Sequence, residues 1–139
     1  MIAIDTNVLI YRVSEDMENM PRETKALIEK AKNKFSQVYG KHEQIAIPMP
    51  VLIEFANYLR RKIGTSKANE KIDDLIADEN FKILEDREEY IHMANSVSEE
   101  YGADFTDSLI YTILYVNKIN RIITYDKDFS KFKDIEIIK

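Results

Sequence analysis

The feature that most constrains this chain is a rhythm: short Ile-rich runs separated by segments of helical periodicity. The runs are Ile2-Ala3-Ile4, Ile45-Ala46-Ile47, Ile83-Leu84, Ile122-Ile123 and Ile135-Glu136-Ile137-Ile138. They have the length of buried strands, and the first four lack the polar alternation of a half-exposed strand. Between them, residues 22–39 place Leu27, Ile28, Ala31, Phe35 and Val38 on one helical face. Residues 87–101 do the same with Tyr90, Ile91, Ala94, Val97 and Tyr101, and residues 67–79 more weakly with Ala68, Ile72, Leu75 and Ile76. In residues 51–63 and 107–117 apolar side chains cover most of the circumference, the pattern of helices pressed deep into a domain. Alternation of strand and helix predicts the open α/β class, a mainly parallel sheet with helices on both faces. In such sheets ligands bind beyond the carboxyl ends of the strands.

At 139 residues the chain is expected to form one domain over 1–139 with a single core. It has no Cys, which excludes a disulfide framework, a thiolate zinc site and a cysteine nucleophile, and zinc would have only His42 and His92. A net charge of -5 argues against coating nucleic acid through bulk charge. No apolar run approaches the roughly 20 residues of a membrane helix, so a soluble, cytoplasmic protein is expected. Only three Gly and three Pro leave no long flexible linker.

Four acids stand where ligands bind in such a sheet: Asp5 after the first strand, Glu54 in an apolar helix, Asp107 opening another, and Asp126 after a late strand. Singly, each has an ordinary structural explanation. Asp5, Thr6 or Asn7 can cap the helix that follows, as can Asp104, Thr106 or Asp107 further on. Capping does not account for both Asp104 and Asp107. Asp126 and Asp128 suit a strand-exit turn. Glu54 among Val51, Leu52, Ile53 and Phe55 would pay a desolvation penalty unless paired, whether with Arg60, Arg61, a distant Lys or a metal ion. Together, four acids at one sheet edge would repel one another by roughly 4 kcal/mol per pair at about 4 Å. Such a cluster calls for a bound cation or raised pKa values, and all-oxygen ligation suits Mg²⁺ or Mn²⁺.

Asp5-Thr6-Asn7-Val8-Leu9-Ile10-Tyr11 after a short strand, Glu54 in a middle helix, Thr106-Asp107-Ser108-Leu109-Ile110 and Thr124-Tyr125-Asp126-Lys127-Asp128-Phe129 together resemble a PIN domain, in its VapC-like toxin ribonuclease form. The resemblance covers nearly the whole chain. It implies a three-layer α/β/α fold and Mg²⁺- or Mn²⁺-dependent hydrolysis of RNA phosphodiesters by activated water. Matched by position, Asp5, Glu54 and Asp107 become the central metal ligands and Asp126 the variable fourth, with Asp128 its rival. Thr6 and Thr124 would support them through hydroxyls, Asn7 as cap or carboxylate orienter, and Asp104 from beside Asp107. The stretch before Pro48 is longer and richer in Lys than the family pattern.

The resemblance also implies a small antitoxin partner and a homodimer, for which Ile63, Ile72, Leu75 and Ile76 offer an apolar face. Polyanionic RNA would need cations near the acids. Arg60 and Arg61 are the first candidates, ahead of Arg22, Lys25, Lys30, Lys32 and Lys34 on the first long helix. Tyr11, Tyr58, Tyr111 and Tyr115 suit core or dimer contacts better than base stacking, and neither His42, in a loop, nor His92, on a surface helix, is assigned to catalysis.

Alternatives are a silent PIN-like module that binds RNA or protein without cutting, and an RNA-processing nuclease without antitoxin. A haloacid-dehalogenase-type phosphatase would want an acid where Asn7 stands. A dinucleotide-binding domain would want a Gly-rich turn beside Asp5, which is absent.

Overall fold

The computed structural model describes residues 1–13, 22–40 and 43–138, excepting the side chains at 12, 13, 24, 31, 35 and 38–40. His42 and the side chains of Ala31, Phe35 and Val38 lie outside that set. In chain order the elements are β1 (Ile2–Ile4), α1 (Thr6–Val13), α2 (Arg22–Gly40), β2 (Ile45–Pro48), α3 (Met49–Ile63), α4 (Thr65–Ala77), β3 (Phe81–Leu84), α5 (Tyr90–Tyr101), α6 (Phe105–Val116), β4 (Arg121–Ile123), a 3-10 turn (Lys127–Lys131) and β5 (Glu136–Ile138).

The strands form one sheet in the order β3-β2-β1-β4-β5, and every neighbouring pair is parallel. From β1 the chain steps outward through β2 to β3, then crosses back past both to β4. Right-handed crossovers in opposite directions put their helices on opposite faces. Helices α1 to α4 therefore cover one face and α5 and α6 the other, giving the expected three layers. The direction of travel reverses between β1 and β4, so the crevice that α/β sheets use for ligands opens at the carboxyl ends of these two strands.

Burial explains the strand sequences. Ile2, Ala3, Ile4, Ile45, Ala46, Ile47, Ile122 and Ile123 are wholly buried, because β1, β2 and β4 have a helical layer on each side and a strand on each flank. The edge strands β3 and β5 are only partly covered, and Glu136 and Lys82 accordingly face water.

Several boundaries differ from the sequence expectation, each for a local reason. Helix α3 starts at Met49, straight from the last residue of β2, with Pro50 in the first turn where its missing N–H costs no bond. Only Gly64, at φ +84°, separates α3 from α4. Residues 87–89 form a turn, with Tyr90 N–H on the Arg87 carbonyl, so α5 begins later than periodicity suggested. Strand β3 begins earlier, at Phe81, because its pairing opposite Ile45 extends the ladder.

Two expectations about exposed faces are corrected. Helix α3 is not buried around its circumference, since Ile53 is 51% exposed and Glu54 is exposed beside it. Of the face expected from Ile63, Ile72, Leu75 and Ile76, the first three are half-buried against the core and only Ile76 is well exposed. Helix α6 matches its expectation over most of its length, with Asp107, Ser108 and Ile110 to Leu114 all buried, but Tyr115 and Val116 at its end are exposed. On α2, Ile28 is buried but Leu27 is exposed.

Candidate metal-binding active site

Asp5 is the first residue beyond β1. Its backbone N–H bonds the Ile123 carbonyl at 3.0 Å, tying it to β4, and its own carbonyl accepts the N–H of Leu9 at 3.3 Å to start α1. One position thus ends a strand, caps a helix and projects a carboxylate at the switch point. That carboxylate is fixed at both oxygens, with Oδ1 accepting the Thr6 N–H at 2.7 Å and Oδ2 the Thr124 hydroxyl at 2.8 Å. A carboxylate has about four acceptor sites, so each oxygen keeps a lone pair for another partner. Burial raises the Asp5 pKa, and the charges of Asp126 and Glu54 add to the rise against the lowering effect of the two hydrogen bonds.

Thr124 leaves β4 as Asp5 leaves β1. Its buried hydroxyl donates to Asp5 and accepts the Asp126 N–H at 2.9 Å, so it sets the turn that carries the next acids. Asp126 Oδ1 in turn accepts the Asp128 N–H at 2.9 Å and caps the 3-10 turn.

From the other side, α6 presents Asp107. Asp104 caps the helix, its Oδ1 accepting the Asp107 N–H at 2.8 Å, so of the alternatives for that cap the structure selects Asp104 and leaves the Asp107 carboxylate free of capping. Asp107, Asp126 and Asp128 each offer a carboxylate oxygen, and these three atoms lie within 4.8 Å of one another. Asp128 therefore stands beside Asp126 and does not replace it. Burial, followed by the charges of Asp104, Asp126, Asp5 and Asp128, pushes the Asp107 pKa up to about 7.

Glu54 joins from α3 at the rim. Its Oε2 accepts the Thr6 hydroxyl at 2.9 Å, and Thr6 N–H holds Asp5, so Thr6 bridges the two acids. Of the partners the sequence offered, neither Arg60 nor Arg61 reaches Glu54; the Thr6 hydroxyl does, and the carboxylate is exposed where the sequence suggested burial. The reason is angular: the apolar residues next to Glu54 in sequence lie on other sides of the helix. Asn7 is exposed in the first turn of α1 and hydrogen-bonds none of these carboxylates, so it neither caps nor orients them. Arg60 donates to Asn69 Oδ1 at 3.0 Å, bracing α3 against α4, while Arg61 is exposed, and neither contacts the acids.

Tyr111 is buried in an aromatic cluster with Tyr101, Tyr115 and Phe132, and Tyr58 lies under the Lys62 ammonium. Sequence reasoning named Tyr125 and Lys30 separately and missed that they meet. The Lys30 Nζ stands 5.8 Å from the Tyr125 ring centre, and the Tyr11 ring lies 6.3 Å from it. Nothing local in the sequence links a lysine of α2 to a residue beyond β4.

The donor set tests whether a divalent ion fits. The acids offer oxygen only, as Mg²⁺ and Mn²⁺ prefer. Among the described residues the ion pairs, such as Arg121–Glu43 at 2.7 Å and Arg87–Glu85 at 2.7 Å, lie elsewhere and leave these carboxylates without a cation. Carboxylate oxygens at about 5 Å repel by roughly 3 kcal/mol per pair at an effective dielectric of 20. A bound divalent cation relieves that repulsion, so the residues fit the ion.

The comparisons agree with this geometry. The chain belongs to the PIN domain family, whose model matches residues 2–135. It is 34% identical over 73 residues to Ribonuclease VapC6 of Methanocaldococcus jannaschii, a match spanning 52% of this chain and about half, 48%, of that protein. It is 28% identical to Ribonuclease VapC2 of the same organism over 145 residues, covering 99% of this chain and 93% of the relative. Its fold is similar to a chain of a toxin-antitoxin complex from Klebsiella pneumoniae, with a TM-score of 0.61 at 18% identity, covering 100% of this chain and 97% of the other. No helix among the described residues is long and apolar enough to cross a membrane.

Proposed function

We propose that the chain is a Mg²⁺- or Mn²⁺-dependent endoribonuclease that hydrolyses RNA phosphodiester bonds, and the toxin of a toxin-antitoxin pair. The observation that carries this is the gathering of Asp5, Asp107, Asp126 and Asp128 at the β1/β4 switch point without a compensating cation among the described residues. The kinship with proteins named ribonuclease VapC supports the substrate class, and the toxin-antitoxin likeness supports the partner.

In this reading Asp5 and Asp107 would hold the principal ion, with Asp126 and Asp128 beside them as further ligands. When bound, the divalent ion supplies charge relief at the phosphoryl oxygens and a lowered pKa for the attacking water. Thr124 holds Asp5 in the ligating orientation, and Thr6 does the same for Glu54, which would bind the ion or orient the attacking water from the rim. The described side chains need not attack phosphorus themselves. A small protein antitoxin, a second copy of the chain and a cytoplasmic setting complete the reading, and a monomer at micromolar concentration would remove the second copy.

The test is cleavage of a mixed panel of transfer, ribosomal-fragment and unstructured RNAs with Mg²⁺ or Mn²⁺, using EDTA and Asp5→Asn as controls. Metal-dependent cutting lost in Asp5→Asn is expected. No cutting together with no ion binding would favour the non-cleaving PIN-like module instead.

A further inference from the structure

An acidic centre must attract a polyanion, and several of the described cations are committed to partners away from it. Arg60 is bound to Asn69, Arg121 to Glu43, and Lys131 Nζ to the Gly102 carbonyl. Lys30, like the exposed Lys127 between Asp126 and Asp128, makes neither a hydrogen bond nor an ion pair through its ammonium among the described residues; what sets it apart is that this ammonium lies over the ring of Tyr125, in the turn that carries the acids.

That ring is well anchored. Thr124 on one side of it bonds Asp5, and Asp126 on the other bonds Thr124 through its N–H, so the backbone carrying Tyr125 is pinned to the acidic centre. The Tyr125 hydroxyl is buried without a hydrogen-bond partner among the described residues. Packing against Tyr11, at 6.3 Å and 36°, therefore fixes the ring where no polar tether does. A lysine stem is flexible, and an aromatic face gives its ammonium a preferred position without neutralising it.

We propose that Lys30, held over Tyr125, is a positioning cation that binds a backbone phosphate flanking the one at the acidic centre. The inference rests on the ribonuclease reading and adds to it a subsite over Tyr125, the residue before Asp126, for the neighbouring nucleotide. Tyr125 acts through Lys30 and touches no reacting atom. The contact is to phosphate, so it favours polynucleotide over mononucleotide without reading base sequence.

The test measures kcat, KM and equilibrium Kd with a fluorescein-labelled oligouridylate across a salt series, for wild type, Lys30→Ala, Lys30→Arg, Tyr125→Phe and Tyr125→Leu. Losing one phosphate contact lowers the slope of log affinity against log salt by roughly 0.7 for a single strand. Lys30→Ala should show that loss with a raised KM and a kcat within about twofold of wild type. Lys30→Arg and Tyr125→Phe keep charge and ring, and should retain the wild-type slope; Tyr125→Leu should move toward Lys30→Ala. An unchanged slope in Lys30→Ala, with cutting by the wild type intact, overturns the inference and leaves the ribonuclease reading standing. Binding without cutting, with a slope that still depends on Lys30, sustains the phosphate contact while the ribonuclease reading falls. A wild type that neither binds nor cuts this RNA overturns the contact.

Discussion

Asp107 has the most to gain from a positive charge. In the ion-free protein its folded pKa is about 7 against an ordinary value of 3.8, and that of Asp5 is raised as well. Between those two values the native state holds a proton that the unfolded chain has released, so stability falls as pH rises through the interval, and the loss is complete above about 7. Denaturant unfolding in EDTA should therefore find the protein more stable at pH 5 than at pH 8, by an amount on the order of a few kcal/mol. Asp107→Asn should remove most of that dependence, and a wild type equally stable at both values would contradict the account. Thr124→Val strips Asp5 and the Asp126 N–H of a shared hydroxyl. It should cost about 1–3 kcal/mol of stability and weaken ion binding by roughly 10–100-fold, read by urea unfolding and by calorimetric titration with Mn²⁺. Ser108 Oγ is buried without a partner among the described residues. Ser108→Ala should thus be neutral or stabilising by up to about 1 kcal/mol in the same unfolding assay. The acids were legible in sequence because carboxylates after strand ends and at a helix start have few structural uses in that combination. The exposure of Glu54, the absence of a hydrogen bond from Asn7 to Asp5 or Glu54 and the meeting of Lys30 with Tyr125 were not legible, since each depends on helix rotation or on long-range packing.

At the level of elements, α6 shows how local chemistry sets a functional position. Asp104 caps its first turn and so fixes where Asp107 points. Its far end closes with Ile119 N–H on the Leu114 carbonyl at 2.9 Å and Lys118 N–H on the Tyr115 carbonyl at 3.1 Å, a Schellman closure. Lys118 is forced to φ +58° there, a conformation glycine adopts without a Cβ clash. Lys118→Gly should stabilise the protein by about 1 kcal/mol, visible as a raised urea midpoint at unchanged slope. Gly102, at φ +66°, serves the same purpose at the end of α5. Such punctuation was partly legible: Gly64 and Gly102 mark helix ends in the sequence, whereas Lys118 gives no sign of its conformation. Strand identities were readable from continuous Ile runs. The start of β3 was not, because Phe81 and Lys82 join it through pairing with β2.

Over the whole molecule, the sheet order does what no local pattern can. By reversing between β1 and β4 it brings Asp5 and Thr124, distant in sequence, to a 2.8 Å hydrogen bond and faces them with Asp107 from the opposite helical layer. The alternation of strand and helix foretold a parallel α/β sheet, and the family resemblance its three layers; of the apolar face expected for a second copy, Ile63, Ile72 and Leu75 are half-buried against the core and Ile76 is exposed. The central claim is that these acids are built to be held together by a divalent cation. Its most direct test is the melting temperature of the wild type and of Asp107→Asn at pH 8 as Mn²⁺ is titrated from EDTA-treated protein. A saturable rise in the wild type, blunted in the variant, is predicted; no Mn²⁺-dependent rise in the wild type would contradict the claim.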